Sequence, residues 1–205
     1  MSRIAILGAS GGLGSLLVHE ALDAGMNVNA LTRNPRRLTM ANEHLNVFEG
    51  DVDSGRGLEQ LIAGCRFVVS VAASPNPADA VSHVIKAVGL KRVDRVVFVS
   101  RLGGPQAHGV KGLLTALVKP RAREVEHDLG DALELVRVSG LDYVVIHTVG
   151  LTDARAGHGV SFSDVGSGGL PPTPVGRHDL AHFILMTLTA PGWSCREVLV
   201  RAGKA

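Results

Sequence analysis

A glycine-rich run near the start of the chain, Gly-Ala-Ser-Gly-Gly-Leu-Gly over residues 8–14, has the residue types and spacing of a phosphate-binding turn. It follows the apolar stretch 3–7 and precedes leucines at helical spacing, so it should join a buried strand to a helix. Gly8 would permit the tight turn, Gly11 would let the backbone approach a pyrophosphate, and Gly14 would let the helix pack on the strand. Unpaired N–H groups at the helix N-terminus would attract the phosphates. The run predicts a dinucleotide site rather than a turn without a ligand.

A second signal stands where the next predicted strand ends, in Leu-Thr-Arg-Asn over residues 31–34. Dinucleotide-binding folds that prefer NAD usually place an acid here, which bonds the ribose 2′-hydroxyl. This chain has Arg33 instead, and its planar guanidinium can neutralise and bond a 2′-phosphate. We therefore predict that NADP(H) is preferred over NAD(H), with a solvated surface charge as the alternative reading of Arg33. Arg36 and Arg37 complete the basic cluster; either could assist Arg33 or be a solvated surface charge, and neither reading is preferred for these two.

Further candidates follow the other predicted strands. The Asp51 carboxylate can accept a hydrogen bond from an adenine amino group while the next backbone N–H bonds the ring, but Asp also favours turns and helix N-caps, so both readings stay open. Ligands of parallel sheets bind outside the carboxyl ends of the strands. The predicted cofactor-binding residues are accordingly Gly8, Ser10, Gly11, Gly12, Leu13, Gly14, Arg33, Asp51, Val52, Ala72, Ala73, Ser100 and Thr148.

Apolar runs alternate with helical patterns along the whole chain and would position these residues. Predicted strands occupy residues 3–7, 27–31, 45–49, 67–71, 95–99, 142–147 and 197–200. Predicted helices occupy residues 12–24, 35–40, 58–63, 78–88, 123–138 and 177–188. Such alternation with short links predicts an α/β protein with a Rossmann-type doubly wound parallel sheet flanked by helices.

The length of 205 residues fits a single NAD(P)-binding domain over 1–205. Residues 102–120 are less regular and are predicted to be a loop with a short helix. Residues 157–174 are rich in Gly, Ser and Pro and are predicted to be mostly loop. We expect segments 102–120 and 151–176 to form a lid on the acceptor side of the site.

The composition excludes several classes of protein. A net charge of +2 without a long basic block does not indicate a nucleic-acid partner. No stretch reaches the roughly 20 apolar residues of a membrane helix, and no secretory pattern opens the chain, so we expect a cytoplasmic protein without a membrane partner. Cys65 and Cys195 lie far apart with no ligand spacing around them, which predicts no metal site.

Seven motifs span nearly the whole chain: GASGGLG, LTRNPRRL, EGDV, RVVFVS, SGLDYVVI, GLTD and GRHDLAHFIL. Their combination resembles the atypical short-chain dehydrogenase/reductases. Within that group the chain resembles the NAD(P)H-binding proteins that include biliverdin-IXβ/flavin reductase and the NmrA-like proteins. The resemblance implies the Rossmann fold and the cofactor site. It leaves the reaction open, because the group contains both reductases and redox sensors.

The chain departs from the catalytic short-chain dehydrogenases, which carry a Tyr followed four residues later by Lys. Here Tyr143 is followed at that spacing by His147, so proton donation by a Tyr–Lys pair is excluded. Ser100 matches the serine at the end of the fifth strand and is a candidate for bonding substrate or nicotinamide, or for capping a loop. His147 is a candidate proton relay or a hydrogen-bonded structural histidine. Relatives with Arg-Pro-Gly after the sixth strand differ from this chain, which has Thr148-Val149-Gly150 after His147.

Two functions fit these residues. The first is an NADPH-dependent reductase that passes hydride to a flat small-molecule acceptor, such as a flavin or quinone, while solvent supplies the proton. The second is a non-catalytic NADP(H)-binding redox sensor that signals through residues 157–174. A sugar-nucleotide epimerase or dehydratase is disfavoured, since those enzymes use the Tyr–Lys pair and usually carry a longer substrate domain.

Overall fold

The structure is a computed structural model, and it describes residues 2–89, 91–101, 120–153, 159–167 and 173–203. Its strands are β1 (Arg3–Leu7), β2 (Asn27–Thr32), β3 (Leu45–Glu49), β4 (Phe67–Ser70), β5 (Arg95–Arg101), β6 (Tyr143–Thr148), β7 (Leu151–Thr152), β8 (Val160–Asp164), β9 (Val175–Gly176) and β10 (Arg196–Ala202). Its helices are α1 (Gly12–Asp23), α2 (Leu58–Ile62), α3 (Pro77–Val88), α4 (Pro120–Val138) and α5 (Arg177–Thr189). The loop predicted before α4 lies outside the described residues.

One sheet carries most of the described strands, in the order β3-β2-β1-β4-β5-β6-β10-β8. Neighbouring strands are parallel from β3 to β10, and β8 runs antiparallel to β10 at the edge. The first six positions follow the 3-2-1-4-5-6 order of doubly wound dinucleotide-binding folds. The predicted Rossmann-type architecture is therefore confirmed, and the strand order reverses between β1 and β4, where the ligand crevice of such folds opens.

Successive residues of the central strands point to opposite faces and divide the core into two apolar layers. Ile4 and Ile146 belong to the layer that α1 and α5 cover. Leu7 and Val145 belong to the layer that α2, α3 and α4 cover. Burial on both faces accounts for the continuous Val, Ile and Leu runs of these strands. This sandwich holds the carboxyl ends of β1, β4, β5 and β6 side by side as a rigid platform.

The prediction that residues 157–174 are mostly loop is wrong for Val160–Asp164, which forms strand β8. This strand pairs with β10, from Val160 opposite Ala202 to Asp164 opposite Val198. Its Phe162 ring packs 4.9 Å from the Trp193 ring and 5.6 Å from the Phe183 ring, measured between centroids. Contacts with distant segments therefore stabilise β8. The glycine- and serine-rich residues on either side of this strand had indicated a loop.

Smaller corrections concern short elements. The helix predicted over residues 35–40 is reduced to a 3₁₀ turn over Pro35–Arg37. The two-residue strands β7 and β9 were not predicted, and they pair with each other apart from the main sheet. The remaining predicted helices and strands agree with the structure to within three residues at each end, and most to within one.

Candidate cofactor site

The glycine-rich turn between β1 and α1 is compact because its glycines contact backbone where no side chain fits. Gly8 has a φ of +81°, and a Cβ at this position would lie 2.8 Å from the Ala72 backbone on β4's continuation. A Cβ at Gly14 would lie 2.1 Å from the carbonyl oxygen of Gly8. The Gly11 N–H donates to that same carbonyl at 3.0 Å. The turn thus brings α1 against β1 and lies close to the backbone that follows β4.

The N-terminus of α1 has the character of an anion site. Its N-cap is Gly11, with no side-chain cap bond, and the first turn of this fully described helix contains no acidic residue. Early N–H groups of a helix have no partner within the helix, and the aligned peptide dipoles give them partial positive charge. Gly11 and Gly12 are exposed. The turn therefore fits the pyrophosphate of a dinucleotide.

A cavity of about 240 Å³ lies beside this turn at the ends of β1, β2 and β3. We call it the smaller cavity, and its lining includes Gly8, Ser10, Gly11, Thr32, Arg33, Arg37, Asp51, Val52, Ala72 and Ala73. Arg33 and Arg37 are both exposed. The Thr32 hydroxyl donates to Ser10 Oγ at 2.8 Å and accepts from the Asn34 N–H at 3.2 Å, which ties the end of β2 to the glycine-rich turn. The site thus has two cations beside the expected ribose position, of which the sequence singled out Arg33.

The structure is consistent with both a turn and an adenine contact for Asp51, but not with a helix N-cap. Its Oδ1 accepts from the Asp53 N–H at 3.1 Å, so the carboxylate closes a turn. It does not cap a helix, because α2 begins only at Leu58, after the N-cap Gly57. Asp51 and Val52 also line the smaller cavity. The position fits an adenine contact, and that contact stays a prediction.

A larger cavity, of about 440 Å³, adjoins the first and extends over the ends of β4, β5 and β6 to α3 and α4. The two cavities share Gly11, Val52, Val71, Ala72 and Ala73. The polar part of the larger cavity's lining includes Ser70, Ser74, Ser100, Thr148 and Arg177. Its apolar part includes Val81, Phe98, Leu129, Leu133, Val136, Val145 and Leu151. Together the cavities form an elongated site with a charged end and an apolar end.

Two hydroxyl groups in the larger cavity have no partner within the described residues. These are Ser100 Oγ at the end of β5 and Thr148 Oγ1 at the end of β6, and both atoms are buried. Thr148 as a whole is 1% exposed. Buried polar groups in proteins are nearly always hydrogen-bonded, since leaving one unpaired costs free energy. Orphaned hydroxyls at the expected nicotinamide position fit a ligand with amide or carbonyl groups.

His147 is not among the described residues that line the two cavities. Its Nε2 lies 2.9 Å from Glu197 Oε1 on β10, and Glu197 Oε2 accepts from Arg137 Nη2 at 2.5 Å. Burial lowers the pKa of His147 despite the opposing effect of Glu197. Burial opposes ionisation of Glu197, but hydrogen bonds from Arg137 and His147 outweigh it and lower its pKa. This network orients a neutral ring, and a proton-relay role for His147 stays a prediction.

Tyr143 lies at the opposite end of β6 from the cavities. It is the first residue of the strand, opposite Val96 of β5, and it packs in the layer beneath α4. Burial is the main cause of its raised pKa. The position agrees with the sequence argument that this tyrosine does not serve as the proton donor of a Tyr–Lys pair.

Residue chemistry elsewhere adds no second candidate centre in the described ranges. Both cysteines are free, Cys65 buried and Cys195 exposed. No group of three His, Cys, Asp or Glu side chains among the described residues is placed to hold a metal ion. None of the helices in the described ranges is long and apolar enough to cross a membrane.

The sequence analysis did not identify Arg177, which lines the larger cavity, and it did not choose between Arg36 and Arg37, of which Arg37 lines the smaller cavity. Arg177 is the first residue of α5 and forms an ion pair with Asp153. The motif GRHDLAHFIL predicted this helix. Nothing in the motif indicated that its arginine lies beside the glycine-rich turn. Arg37 was visible in the basic cluster, and the 3₁₀ turn capped by Asn34 is what brings it to the cavity.

Solved structures share this fold at low sequence identity. A Rossmann-fold NAD(P)-binding family protein from Shigella flexneri is 19% identical, with a TM-score of 0.80, covering 100% of this chain and 96% of that one. A short-chain dehydrogenase/reductase from Veillonella parvula, solved in complex with NADP, is 20% identical with a TM-score of 0.80, over 98% and 94% of the two chains. ChuY, an anaerobillin reductase from Escherichia coli, is 20% identical with a TM-score of 0.80, over 98% and 97%.

A family model described as NAD(P)H-binding matches residues 8–191 of this chain. The match begins at the first glycine of the turn and continues beyond the end of α5, so it includes both cavities. It confirms the resemblance that the sequence motifs indicated. The chain belongs to this family of NAD(P)H-binding Rossmann-fold proteins.

Proposed function

We propose that the chain is an NADPH-dependent reductase that passes hydride to a flat acceptor of flavin or quinone type. The observation that carries this proposal is the apolar end of the larger cavity, which continues beyond the predicted nicotinamide position between α3, α4 and the sheet. A volume of about 440 Å³ falls within the usual range for small-molecule sites. Walls such as Phe98 and Val145 suit the face of a conjugated ring.

The residues of this site would bind and orient rather than donate protons. NADPH supplies a hydride when bound, and the acceptor takes that hydride together with one proton. Ser100 and Thr148 would donate hydrogen bonds to the carboxamide or to an acceptor oxygen. Flavins and quinones gain oxygen- or nitrogen-bound protons that water exchanges readily, so solvent would supply the proton. That chemistry does not need the missing Tyr–Lys pair.

The preference for NADP(H) is supported by charge at the smaller cavity. Arg33 and Arg37 line it, and the stretch 31–34 contains no acid that would repel a 2′-phosphate. A related fold from Veillonella parvula was solved in complex with NADP. A fork of guanidinium donors suits a phosphate better than it suits a neutral ribose hydroxyl.

A non-catalytic NADP(H) sensor is the second candidate, and the absence of the Tyr–Lys pair favours it. The same cofactor residues would serve both functions. Residues 157–174 would transmit the state of the cofactor to a partner. In the reductase, segment 151–176, whose Leu151 lines the larger cavity, would instead form part of the acceptor lid.

Binding and turnover measured on the same preparation would separate the two candidates. Calorimetric titration would give the Kd for NADPH and NADP+, and the loss of nicotinamide absorbance would report turnover with FMN, riboflavin, menadione and benzoquinone. Tight binding with turnover above the uncatalysed rate supports the reductase. Tight binding without turnover on any acceptor favours the sensor, and absence of binding overturns both. The matched control is a folded Gly11→Val protein, in which the pyrophosphate approach is obstructed.

A further inference from the structure

Arg177 lies over the glycine-rich turn, although more than 160 residues separate them in sequence. Its Nε is 3.2 Å and its Cζ is 3.8 Å from the position that a Cβ on Gly12 would occupy. The guanidinium therefore sits beside the first turn of α1. The side chain is 26% exposed and lines the larger cavity together with Gly11, Gly12 and Gly14.

This position is electrostatically unfavourable for a cation unless an anion joins it. The N-terminus of α1 carries partial positive charge, and so does that of α5, where Arg177 is the first residue and Asp179 supplies an acid in the first turn. Both helices start after a glycine, Gly11 and Gly176, and neither N-cap makes a side-chain hydrogen bond. The N-terminus of α1 and the Arg177 guanidinium thus place two positive groups at one end of the cavity.

Asp153 is the acid that bonds Arg177 in this structure. The β7–β9 pairing places Thr152 opposite Gly176. The residues that follow them, Asp153 and Arg177, therefore lie side by side and form the ion pair. The Asp153 side chain is 90% exposed, however. Ion pairs with so exposed a partner are weak, because water and salt compete for the charges. A dianionic ligand could therefore replace Asp153 at little cost.

A separate observation indicates a ligand in the same cavity. Thr148 lines it at the predicted nicotinamide position, is 1% exposed, and has a buried Oγ1 without a partner within the described residues. An orphaned donor at this depth is expected where a bound group or water completes its hydrogen bond. Thr148 and Arg177 therefore line one continuous cavity, in which a bound dinucleotide would complete the Thr148 hydrogen bond.

We propose that Arg177 exchanges Asp153 for the pyrophosphate of the bound dinucleotide and so adds a side-chain cation to the glycine-rich turn. The proposal rests on the cofactor site of the proposed function but does not require preference for NADP(H) or any acceptor. NAD and NADP share the pyrophosphate. Arg177 should therefore strengthen the binding of both, unlike Arg33.

Calorimetric titration of NADP+ and NAD+ into matched variants tests this exchange. Arg177→Ala should weaken both dinucleotides by a similar factor, about ten-fold, as for loss of a charge-assisted hydrogen bond. Arg177→Lys should retain part of the affinity as a point charge. Asp153→Asn should tighten both by about two- to five-fold, because it removes the competing acid, and this gain should vanish in the double variant with Arg177→Ala. The control is Arg196→Ala, which breaks a comparable pair with Asp164 at the β8 edge and should change neither Kd.

Several outcomes would overturn the exchange. Unchanged affinities in Arg177→Ala, with only a lower Tm, would make the pair with Asp153 purely structural. Weaker binding of NADP+ alone would indicate that Arg177 contacts the 2′-phosphate and not the pyrophosphate. A lower Kd for both dinucleotides in Asp153→Asn cannot result from a destabilised fold. This variant therefore tests the exchange even if Arg177→Ala folds poorly. Failure of the unmodified protein to bind either dinucleotide would overturn the proposed function as well, whereas equal affinity for both would overturn only the NADP preference.

Discussion

Ser100 and His147 lie directly opposite each other where β5 and β6 end, on the same face of the sheet. Only Ser100 lines the larger cavity, because the His147 ring is hydrogen-bonded to Glu197 on the next strand. Ser100 Oγ and His147 Nδ1 are both buried without a partner in the described part of the chain. The pair therefore combines a serine that lines the cavity with a histidine that is hydrogen-bonded to Glu197.

The burial of His147 predicts a loss of stability in acid. The pKa of His147 is lowered in the folded state, so the unfolded chain takes up the proton first as the pH falls. The stabilisation is therefore complete above the unfolded value of about 6.5 and decreases below it. The lowered pKa of Glu197 adds a further loss below about 4.5. Urea unfolding between about pH 8 and pH 5 should show a falling free energy of unfolding.

The matched variants for this test are His147→Gln and His19→Gln. His147→Gln should flatten the dependence of stability on pH between about 7 and 5, even if it lowers stability overall. His19 is exposed on α1, so His19→Gln is the control for removing an imidazole outside this network. A wild-type free energy of unfolding that stays level or rises on acidification over this range would contradict a buried neutral histidine.

Thr148→Val should change stability and cofactor affinity in opposite directions. Valine has nearly the same shape but lacks the buried Oγ1, which has no partner among the described residues. Removing an unpaired hydroxyl should stabilise the free protein by about 1 kcal/mol. If the hydroxyl bonds the nicotinamide carboxamide, the Kd for NADPH should rise by about five- to ten-fold.

Thermal unfolding and calorimetric titration of Thr148→Val would measure the two effects on one sample. Thr187→Val is a suitable control, since Thr187 is also fully buried but its hydroxyl donates to the Ile184 carbonyl at 2.7 Å. That variant should lose stability and keep its affinity. A Thr148→Val protein with lower stability and unchanged Kd would assign Thr148 to packing alone.

Gly14 and Gly11 should respond differently to substitution. A Cβ at Gly14 would approach the Gly8 carbonyl oxygen to 2.1 Å, a backbone contact that requires α1 to move away from β1. Gly14→Ala should therefore lower the free energy of unfolding by about 3 kcal/mol or more. A Cβ at Gly11 meets the same oxygen at 3.3 Å, and Gly11 has extended backbone angles that other residues adopt. Gly11→Val should fold and lose NADPH affinity.

Urea unfolding and NADPH titration of both variants would check this contrast. Gly25→Ala serves as the control for strain alone, since Gly25 has a φ of +73° but no atoms within 4 Å of a Cβ. It should cost about 1–2 kcal/mol, the usual penalty of left-handed backbone. A folded Gly11→Val protein with unchanged NADPH affinity would show that the pyrophosphate does not bind at the glycine-rich turn.

The parts of the site that depend on neighbouring residues could be predicted from sequence. The glycine-rich turn is one such part, because strand, turn and helix follow one another within residues 3–23. Arg33 is another, since the end of a strand and the missing acid are both local features. Strand periodicity likewise indicated the parallel sheet, because burial on both faces leaves long apolar runs.

Contacts between distant segments could not be predicted in the same way. Glu197 meets His147 only because β10 lies beside β6, and no spacing in the sequence specifies that pairing. Arg177 reaches Gly12 because α5 packs beside α1 on one face of the sheet. Strand β8 depends on the Phe162 contact with Trp193, so its short apolar pattern was insufficient by itself. These tertiary contacts decide which charged groups border the cavity.

The arginines of the smaller cavity predict selective loss of NADPH affinity. Arg33 lines the cavity without an acidic neighbour in the stretch 31–34, so its guanidinium can bond a 2′-phosphate. Arg33→Ala should weaken NADPH by about ten- to a hundred-fold, toward the lower end because the side chain is exposed, and should leave NADH nearly unchanged. Arg37→Ala should act in the same direction to a smaller extent. Titration of both cofactors at two salt concentrations would measure the effect, which added salt should reduce.

Arg36 supplies the matched control for this prediction, since it belongs to the same basic cluster but is not among the residues that line either cavity. Arg36→Ala removes the same net charge as Arg33→Ala. Comparing the two variants therefore separates a direct contact of Arg33 with the phosphate from the long-range electrostatic field of the protein. It should change the Kd for NADPH by less than about two-fold. If Arg36→Ala and Arg33→Ala weaken NADPH equally, the effect is a long-range one and Arg33 is not a ligand. Equal affinity of the unmodified protein for NADH and NADPH would leave Arg33 as a surface charge.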